Sequence, residues 1–204
     1  MPDRPGALGE VASAIGHAGG DVVGIEILER GPARAIDELA VVLPDHVAPA
    51  ALAAAIAAIG GVDVEDLRAT DESEHDLGMA AVELAAAIAE AATSAALIER
   101  LVTHVHHTLA ADWTAVTDDD VKAQGIVASL GSAPTWPWLA AYLEGVRHVA
   151  VATAGHGADD VAWAALPATS LHVVVGRSGR PLRDRERRFL TALARVSAVR
   201  WRDL

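Results

Sequence analysis

The chain has 204 residues, of which 52% are hydrophobic, so it is long enough for two small domains or one medium-sized domain with a buried core. Alanine supplies much of the apolar content and aromatic residues only 3%, which favours helix-rich packing, and the absence of cysteine excludes disulfides, thiolate metal sites and a cysteine nucleophile. No apolar run approaches the roughly 20 residues of a membrane span, and no leader pattern is present. We therefore predict a cytoplasmic protein with no membrane partner.

The net charge of -12 is distributed unevenly along the chain. Residues 1–74 carry 14 acidic residues and 4 arginines, whereas residues 75–204 carry 14 acidic and 12 basic residues. The two parts meet in the polar, acidic stretch RATDESEHDLG (68–78), which is typical of a solvated connection. We predict a first domain over 1–71, a linker and connector helix over 72–91, and a second domain over 92–204.

In residues 1–74 the spacing of apolar residues predicts individual helices and strands. An apolar stripe before Gly19-Gly20 predicts a helix, and alternating apolar residues in DVVGIEILER and ARAIDELAVVLP on either side of Gly31-Pro32 predict a hairpin. The segment PAALAAAIAAIGG predicts a second helix with Pro49 in its first turn. The segment VDVEDLRA (62–69) predicts a closing strand.

The stretches DRPGALGEVASAI, HAGGDVVGIEI and DELAVVLP, in this order of elements, resemble the ACT domain, a small βαββαβ ligand-binding module attached to many regulators of amino-acid metabolism. The resemblance covers residues 2–69 and implies a ferredoxin-like antiparallel sheet with two helices. In that family a central first strand precedes the DRPG-type loop, and this sequence begins where that strand would end. We expect a start assigned too far downstream, a shortened chain, or a sheet that a partner chain completes.

The loop also predicts a binding site. Gly6 lets the main chain approach a ligand, and free amides at a helix N-terminus suit a carboxylate. The resemblance implies that the ligand, an amino acid, lies between this loop and the start of the next strand of a neighbouring subunit, where Asp21 would pair with the ammonium group. A turn that binds nothing explains Gly6 equally well. The expected ligand-binding residues are Asp3, Arg4, Gly6, Ala7, Leu8, Gly20, Asp21 and Val22.

The second part reads as a mixed α+β domain. A long helical pattern is divided at Thr93-Ser94, since both residue types favour helix caps. Strands are predicted over DWTAVTD, DVKAQGIVASL, HVAVATA, DVAWAALP and SLHVVVGRSG, and helices over WPWLAAYLEGV and RDRERRFLTALARVSAVRW. In the last helix the residues predicted to face the core are Phe189, Leu190, Leu193, Ala194 and Val196.

The segments ATSAALIERLVTHV, ADWTAVTD and LHVVVGRSGRPLRDRERRFLTALARV resemble the GAF domain, a sensor module with a central antiparallel sheet and flanking helices. The middle of the domain is short and has no ligand-gripping motif of that family, and without cysteine covalent bilin attachment is excluded. The predicted fold class is therefore α+β, with a ferredoxin-like ACT domain joined by a helical connector to a GAF-like domain. The residues that carry the second resemblance most clearly are Gly176, Arg177, Pro181, Leu182, Glu186 and Leu190.

The sequence gives only weak signals for a metal site, a cofactor site or a nucleic-acid interface. His104, His106 and His107 have no carboxylate at matching helical spacing, and Asp118–Asp120 reads as a turn, so we predict no metal and no cofactor. Trp136 and Trp138 favour core or interface packing over a pocket. Nine arginines lie between 177 and 202, but interspersed acids and the acidic chain argue against a nucleic-acid partner.

Two classes of function remain. The first is a non-catalytic regulatory protein, a homodimer that binds an amino acid and signals through its second domain or a protein partner. The alternative is a small enzyme or metal-dependent protein that uses histidine and aspartate groups of the C-terminal half. Since no nucleophile with an adjacent base is recognisable, we predict no catalytic residues and favour the first.

Overall fold

The computed structural model describes residues 1–69, 77–120, 125–149 and 160–204. The chain divides into two compact units, Met1–His75 and Asp76–Leu204, each with its own core. Within the described ranges no helix is long and apolar enough to cross a membrane. Both units combine helices with antiparallel sheet, so the predicted α+β class is confirmed.

The N-terminal unit contains helix α1 (Ala7–His17), strands β1 (Asp21–Arg30) and β2 (Ala35–Val42) and helix α2 (Pro49–Ala57). Helix α1 buries Ala7, Val11 and Ile15 and stops at Gly19, whose φ of +85° a glycine adopts without strain. The Gly20 amide then donates to the Ile15 carbonyl at 3.0 Å and completes the C-terminal cap. The predicted helix and its glycine stop are confirmed.

Strands β1 and β2 form the predicted hairpin, with pairing that runs from Asp21 opposite Val42 to Arg30 opposite Ala35 and shifts register at two irregularities. Its inner residues pack with α1 and α2 around a core that includes Val11, Ile15, Leu52 and Val62. Three apolar residues of β1 remain exposed: Val23, Ile25 and Ile27. The unit therefore leaves part of its apolar strand surface uncovered.

The closing strand predicted over 62–69 is wrong, because these residues form no strand. Two exposed ion pairs hold the segment near β2. Arg34 pairs with Asp63 at 2.6 Å, and Arg68 pairs with Glu38 at 2.9 Å. At its start, Pro2 forms a bridge with Arg34 and packs against Gly61. A strand is stabilised by backbone pairing with a neighbour, and side-chain ion pairs do not replace that ladder.

The C-terminal unit contains eight elements among its described residues. They are α3 (Leu77–Ala89), α4 (Ser94–Thr108), β3 (Trp113–Asp118), β4 (Gly125–Gly131), α5 (Trp136–Val149), β5 (Val161–Ala165), β6 (Leu171–Gly176) and α6 (Asp184–Trp201). Thr93 caps α4, as predicted, by accepting a hydrogen bond from the Ala96 amide at 3.2 Å. The pattern HVAVATA was predicted as a strand, but its first two residues belong to α5 and the rest lie outside the described residues.

The four strands form one antiparallel sheet in the order β4-β3-β6-β5. One face packs on α4 and α6, and α3 packs on those two helices in turn, with Leu101, Val173 and Leu190 at the centre of this main core. The other face packs on α5 through Leu139 and Leu143. Val196 was predicted to face the core, but it is 38% exposed and Ser197 is buried instead.

A buried ion pair joins the end of β6 to the first turn of α6. Arg177 and Glu186 have side chains only 4% and 9% exposed, and two parallel hydrogen bonds of 2.7 and 2.8 Å connect them. The Arg177 guanidinium also donates to the carbonyls of Leu109, Arg180 and Pro181. Glu186 accepts a further bond from the Arg183 amide. The pair thus fixes three chain segments at one point.

Asp112, just before β3, provides a measurable pH dependence. Hydrogen bonds from the Ser178 hydroxyl and amide, the latter 2.7 Å long, lower the pKa of Asp112 below its usual 3.8. A carboxyl group with a lowered folded-state pKa stabilises the fold above its unfolded pKa and loses that contribution as pH falls through the folded one. In urea unfolding experiments we expect wild type to have a higher free energy of unfolding than Asp112→Asn at about pH 6. The gap between the two should narrow towards about pH 3. A gap that stays constant across this range would contradict the assignment.

Candidate ligand-binding site

The site begins with a tight turn at Arg4-Pro5-Gly6-Ala7. The Ala7 amide donates to the Arg4 carbonyl at 3.2 Å, and Gly6 has φ of +90° and ψ of -17°. These values belong to a type II turn, which favours proline at its second position and needs glycine or asparagine at its third. The turn alone therefore accounts for Gly6, in agreement with the alternative hypothesis that this glycine serves a turn without a ligand.

The turn leads directly into α1 and leaves amides at its N-terminus without acceptors. The Glu10 amide reaches the Gly6 carbonyl at 3.0 Å, but within residues 1–69 the Leu8 and Gly9 amides donate to no backbone group. No side chain caps the helix, and a Cβ atom placed on Gly6 would meet no atom within 4 Å. Two amides without a backbone acceptor thus lie at the positive end of the helix next to the open side of Gly6, which suits an anion.

The charged residues of the loop are paired with neighbours. Arg4 donates to both carboxylate oxygens of Glu10 at 2.8 and 2.9 Å, and Asp3 lies 3.3 Å from Arg30. All four side chains are at least partly exposed, so these pairs contribute little to stability and can exchange partners. Glu10 places a negative charge in the first turn of α1, and Arg4 offsets it.

The second group of predicted residues lies where β1 begins. A Cβ atom on Gly20 would come within 2.9–3.0 Å of Ile15, Val41 and Leu43, so close packing explains this glycine. Asp21 is exposed and makes no ion pair with any residue of the described part of the unit. Val22 pairs with Val41 and packs on the core.

One subunit does not bring the two groups together. Helix α1 has 11 residues, which at 1.5 Å per residue separates the Gly6 turn from Gly20-Asp21-Val22 by about 16 Å. A ligand the size of an amino acid spans less than this distance. A site that uses both groups needs the second group from another subunit.

Sequence reasoning missed part of the arrangement at the turn. It named Ala7 as a binding amide, whereas the turn uses that amide and the Gly9 amide is free instead. It also missed Glu10, which holds Arg4. The signal was present, because a Pro-Gly pair followed by a helix indicates which amide closes the turn.

Within the part of the C-terminal unit that the structure describes, the histidines form no catalytic or metal-binding cluster with acidic side chains. His104 bonds to the Arg100 carbonyl at 2.9 Å, and His106 contacts His107 edge to face. Burial, followed by the charge of His107, lowers the pKa of His106. Among the described residues no group of three or more histidine and acidic side chains converges. The Asp118 carboxylate accepts a hydrogen bond of 2.9 Å from the Asp120 amide, which is the local bond of an Asx turn.

The tryptophans and arginines of this unit also have local partners. Trp138 stacks on Tyr142 with ring centroids 5.5 Å apart, and Trp136 packs against the core beneath α5. Arg200 donates to the Ala91 carbonyl and Arg187 to the carbonyls of Leu182 and Val161. Several of the nine clustered arginines therefore connect segments of the unit itself.

No curated protein and no solved structure matches the sequence. ACT domains are in general small modules that bind small ligands and regulate the proteins that carry them. The turn, helix α1 and the start of β1 all lie within the residues that the ACT family model matches. The family model described as the ACT domain finds such a domain at residues 1–61.

Proposed function

We propose that the chain is a non-catalytic regulatory protein whose ACT domain binds an α-amino acid between the subunits of a homodimer. The observation that carries the proposal is the start of α1, where the Leu8 and Gly9 amides have no backbone acceptor in the described unit and Gly6 borders open space. This feature lies inside the segment that the family model matches.

The chemistry of both groups fits the two ends of an amino acid. The ligand carboxylate accepts hydrogen bonds from the Leu8 and Gly9 amides and gains from the helix dipole. The ammonium group pairs with Asp21 of the second subunit, whose exposed carboxylate has no ion pair within the described unit. Gly20 and Val22 shape the floor beside Asp21, and Asp3 and Arg4 form the rim.

The length of α1 and the exposed apolar surface of β1 support a homodimer. The two halves of the site lie about 16 Å apart in one subunit, so a neighbouring subunit supplies the missing half. Val23, Ile25 and Ile27 are exposed along one strand, and contact with a second copy removes their apolar surface from water.

The second domain, residues 92–204, is proposed as a GAF-like module that passes ligand occupancy to a protein partner. A central antiparallel sheet with helices on both faces supports this proposal. So does the way in which Arg177, Pro181 and Glu186, which carried the resemblance, meet in one buried cluster. Residues 72–91, which include α3, would serve as the connector.

The proposal is tested by a thermal-shift screen of the full chain against the twenty common amino acids, followed by calorimetry with the best of them. Saturation at a hundredfold excess over Kd stabilises the folded state by about 2.7 kcal/mol. Asp21→Asn should weaken the amino acid by roughly 10- to 100-fold, because a charged hydrogen bond is lost, and leave its deaminated analogue unaffected. Asp45→Asn, an exposed acid of the same unit, is the matched control.

The second arm of the same experiment changes the turn. Gly6→Asn keeps a residue type that accepts the positive φ, while its side chain covers the approach to the Leu8 and Gly9 amides. Binding should be lost although the melting temperature of the unliganded protein changes little. If no amino acid stabilises the protein, or if both variants bind like wild type, the loop is only a turn and the proposal fails.

A further inference from the structure

Helix α3 is apolar on all sides. Its 13 residues, LGMAAVELAAAIA, contain a single charged side chain, Glu83. Leu84 and Ile88 are fully buried against α4 and α6, yet on the opposite side Val82 is 64% exposed and Ala86 and Ala89 are exposed as well. A helix that is hydrophobic all round is normally covered on all sides. The outer side of α3 therefore has the composition of an interface.

Helix α6 offers an exposed face beside it. The two helices contact each other and share the main core, so their outer surfaces adjoin. The exposed face of α6 includes Val199, 55% exposed and near the C-terminal end of the helix. Arg195 lies one turn and Arg188 three turns before it on the same face. This face combines apolar area with positive charge.

The two faces are complementary in charge. Glu83 and Glu90 flank the outer side of α3, and Arg188 and Arg195 lie on the outer side of α6. Within the described residues none of these four side chains forms an ion pair. Packing α3 on α3 of another copy would place acid near acid, and packing α6 on α6 would place arginine near arginine. Only α3 on α6 matches opposite charges.

We propose that a second copy of this chain covers this surface, with α3 of each copy seated on the exposed face of α6 of the other. A two-fold axis repeats the contact, so both apolar faces and both charge sets are satisfied and the assembly closes as a dimer. Val82 then meets the region of Val199, and Glu83 and Glu90 meet Arg188 and Arg195. This surface belongs to the C-terminal unit and does not depend on amino-acid binding by the ACT domain.

The test uses cysteine cross-linking of the full chain, which has no cysteine of its own. Val82→Cys protein is mixed with Val199→Cys protein and treated with a short bismaleimide. The proposal expects cross-linked dimers in the mixture and few in either protein alone. Dimers that form without giving this cross-linked product would contradict the proposal.

Charge reversal provides the decisive arm. Glu83→Arg with Glu90→Arg in both cysteine proteins should lower the cross-linking yield by roughly tenfold, because like charges then face each other, and so should Arg188→Glu with Arg195→Glu. Mixing one acid-reversed protein with one arginine-reversed protein makes both contacts of the mixed dimer complementary and should raise the yield well above that of either reversed pair. Combining all four reversals in both cysteine proteins makes both contacts complementary again and should restore the wild-type yield.

The control for these reversals is Glu99→Arg, an exposed acid on α4, which should change nothing. Circular dichroism confirms that each variant is folded. Yields that ignore charge reversal, or a fourfold reversal that fails to recover, would overturn the proposal.

Discussion

Replacing Arg177 with leucine is expected to lower the free energy of unfolding of the C-terminal unit by about 3–5 kcal/mol, because it leaves the Glu186 carboxylate buried without its counter-charge. The substitution also removes the donor that serves the carbonyls of Leu109, Arg180 and Pro181. Each buried acceptor left without a partner adds to the loss. The structural disruption should be largest at the junction between the end of β6 and the first turn of α6.

Glu186→Gln separates charge from shape at the same pair. The glutamine oxygen in the place of Oε2 still accepts from Arg177 and from the Arg183 amide, whereas the NH2 group in the place of Oε1 no longer accepts from Arg177, so we expect a smaller loss than for Arg177→Leu. Urea unfolding followed by tryptophan fluorescence measures both, since all five tryptophans lie in this unit. Glu99→Gln, the same change at an exposed position, should stay within about 0.5 kcal/mol of wild type. Equal effects at Glu186 and Glu99 would show that the buried pair is not what holds this junction together.

The helices and the hairpin were predictable because their signals are local. Apolar residues at helical spacing, a glycine pair after α1, proline at the start of α2 and a threonine cap before α4 each act over a few residues. The strands β3, β5 and β6 were predictable as elements too, since each is a short segment of mostly apolar or β-branched residues. None of these signals depends on how distant segments meet.

Two of the errors in the fold have one cause, which is that strand pairing and burial depend on distant partners. Residues 62–69 have a strand-like pattern, but side-chain ion pairs and not a ladder of backbone hydrogen bonds connect them to the neighbouring chain at β2. Val196 is apolar, but it lies at the edge of the buried face of α6, where the neighbouring Ser197 points inward. Residue type predicted the wrong side of the helix at this turn.

The site was predictable as a place and less so as a set of contacts. The Pro-Gly pair before an apolar stripe located the turn and the helix start, but which amide the turn consumes depends on the hydrogen bond from Ala7 to Arg4. The pairing of Arg177 with Glu186 was not predicted as a contact, because the two lie nine positions apart across a turn and a helix start. Spacing alone does not reveal that both side chains turn into the same buried space.

Gly131, the last residue of β4, is the second position where a large effect is expected. It has φ of +74°, and a Cβ atom there would overlap the carbonyl group of Asp112 and crowd the Cα atom of Trp113 at 3.0 Å. Gly131→Ala therefore combines a left-handed backbone, at about 1–2 kcal/mol, with overpacking against main chain, at about 1–3 kcal/mol. Since backbone cannot rotate away as a flexible side chain does, relief requires separating β3 from β4 where Trp113 pairs with Gly131.

The control for Gly131 is Gly179, which has the same φ of +74° but no neighbouring atom within 4 Å of where a Cβ atom would stand. Gly179→Ala carries only the backbone cost, so it should destabilise the same unit by about 1–2 kcal/mol, while Gly131→Ala should lose about 2–5 kcal/mol. Urea unfolding followed by tryptophan fluorescence compares the two directly, and near-ultraviolet circular dichroism should change only for Gly131→Ala, because Trp113 must move. Equal losses would mean that β4 shifts freely at its end, and that the close approach of Gly131 to Asp112 contributes nothing to the stability of the sheet.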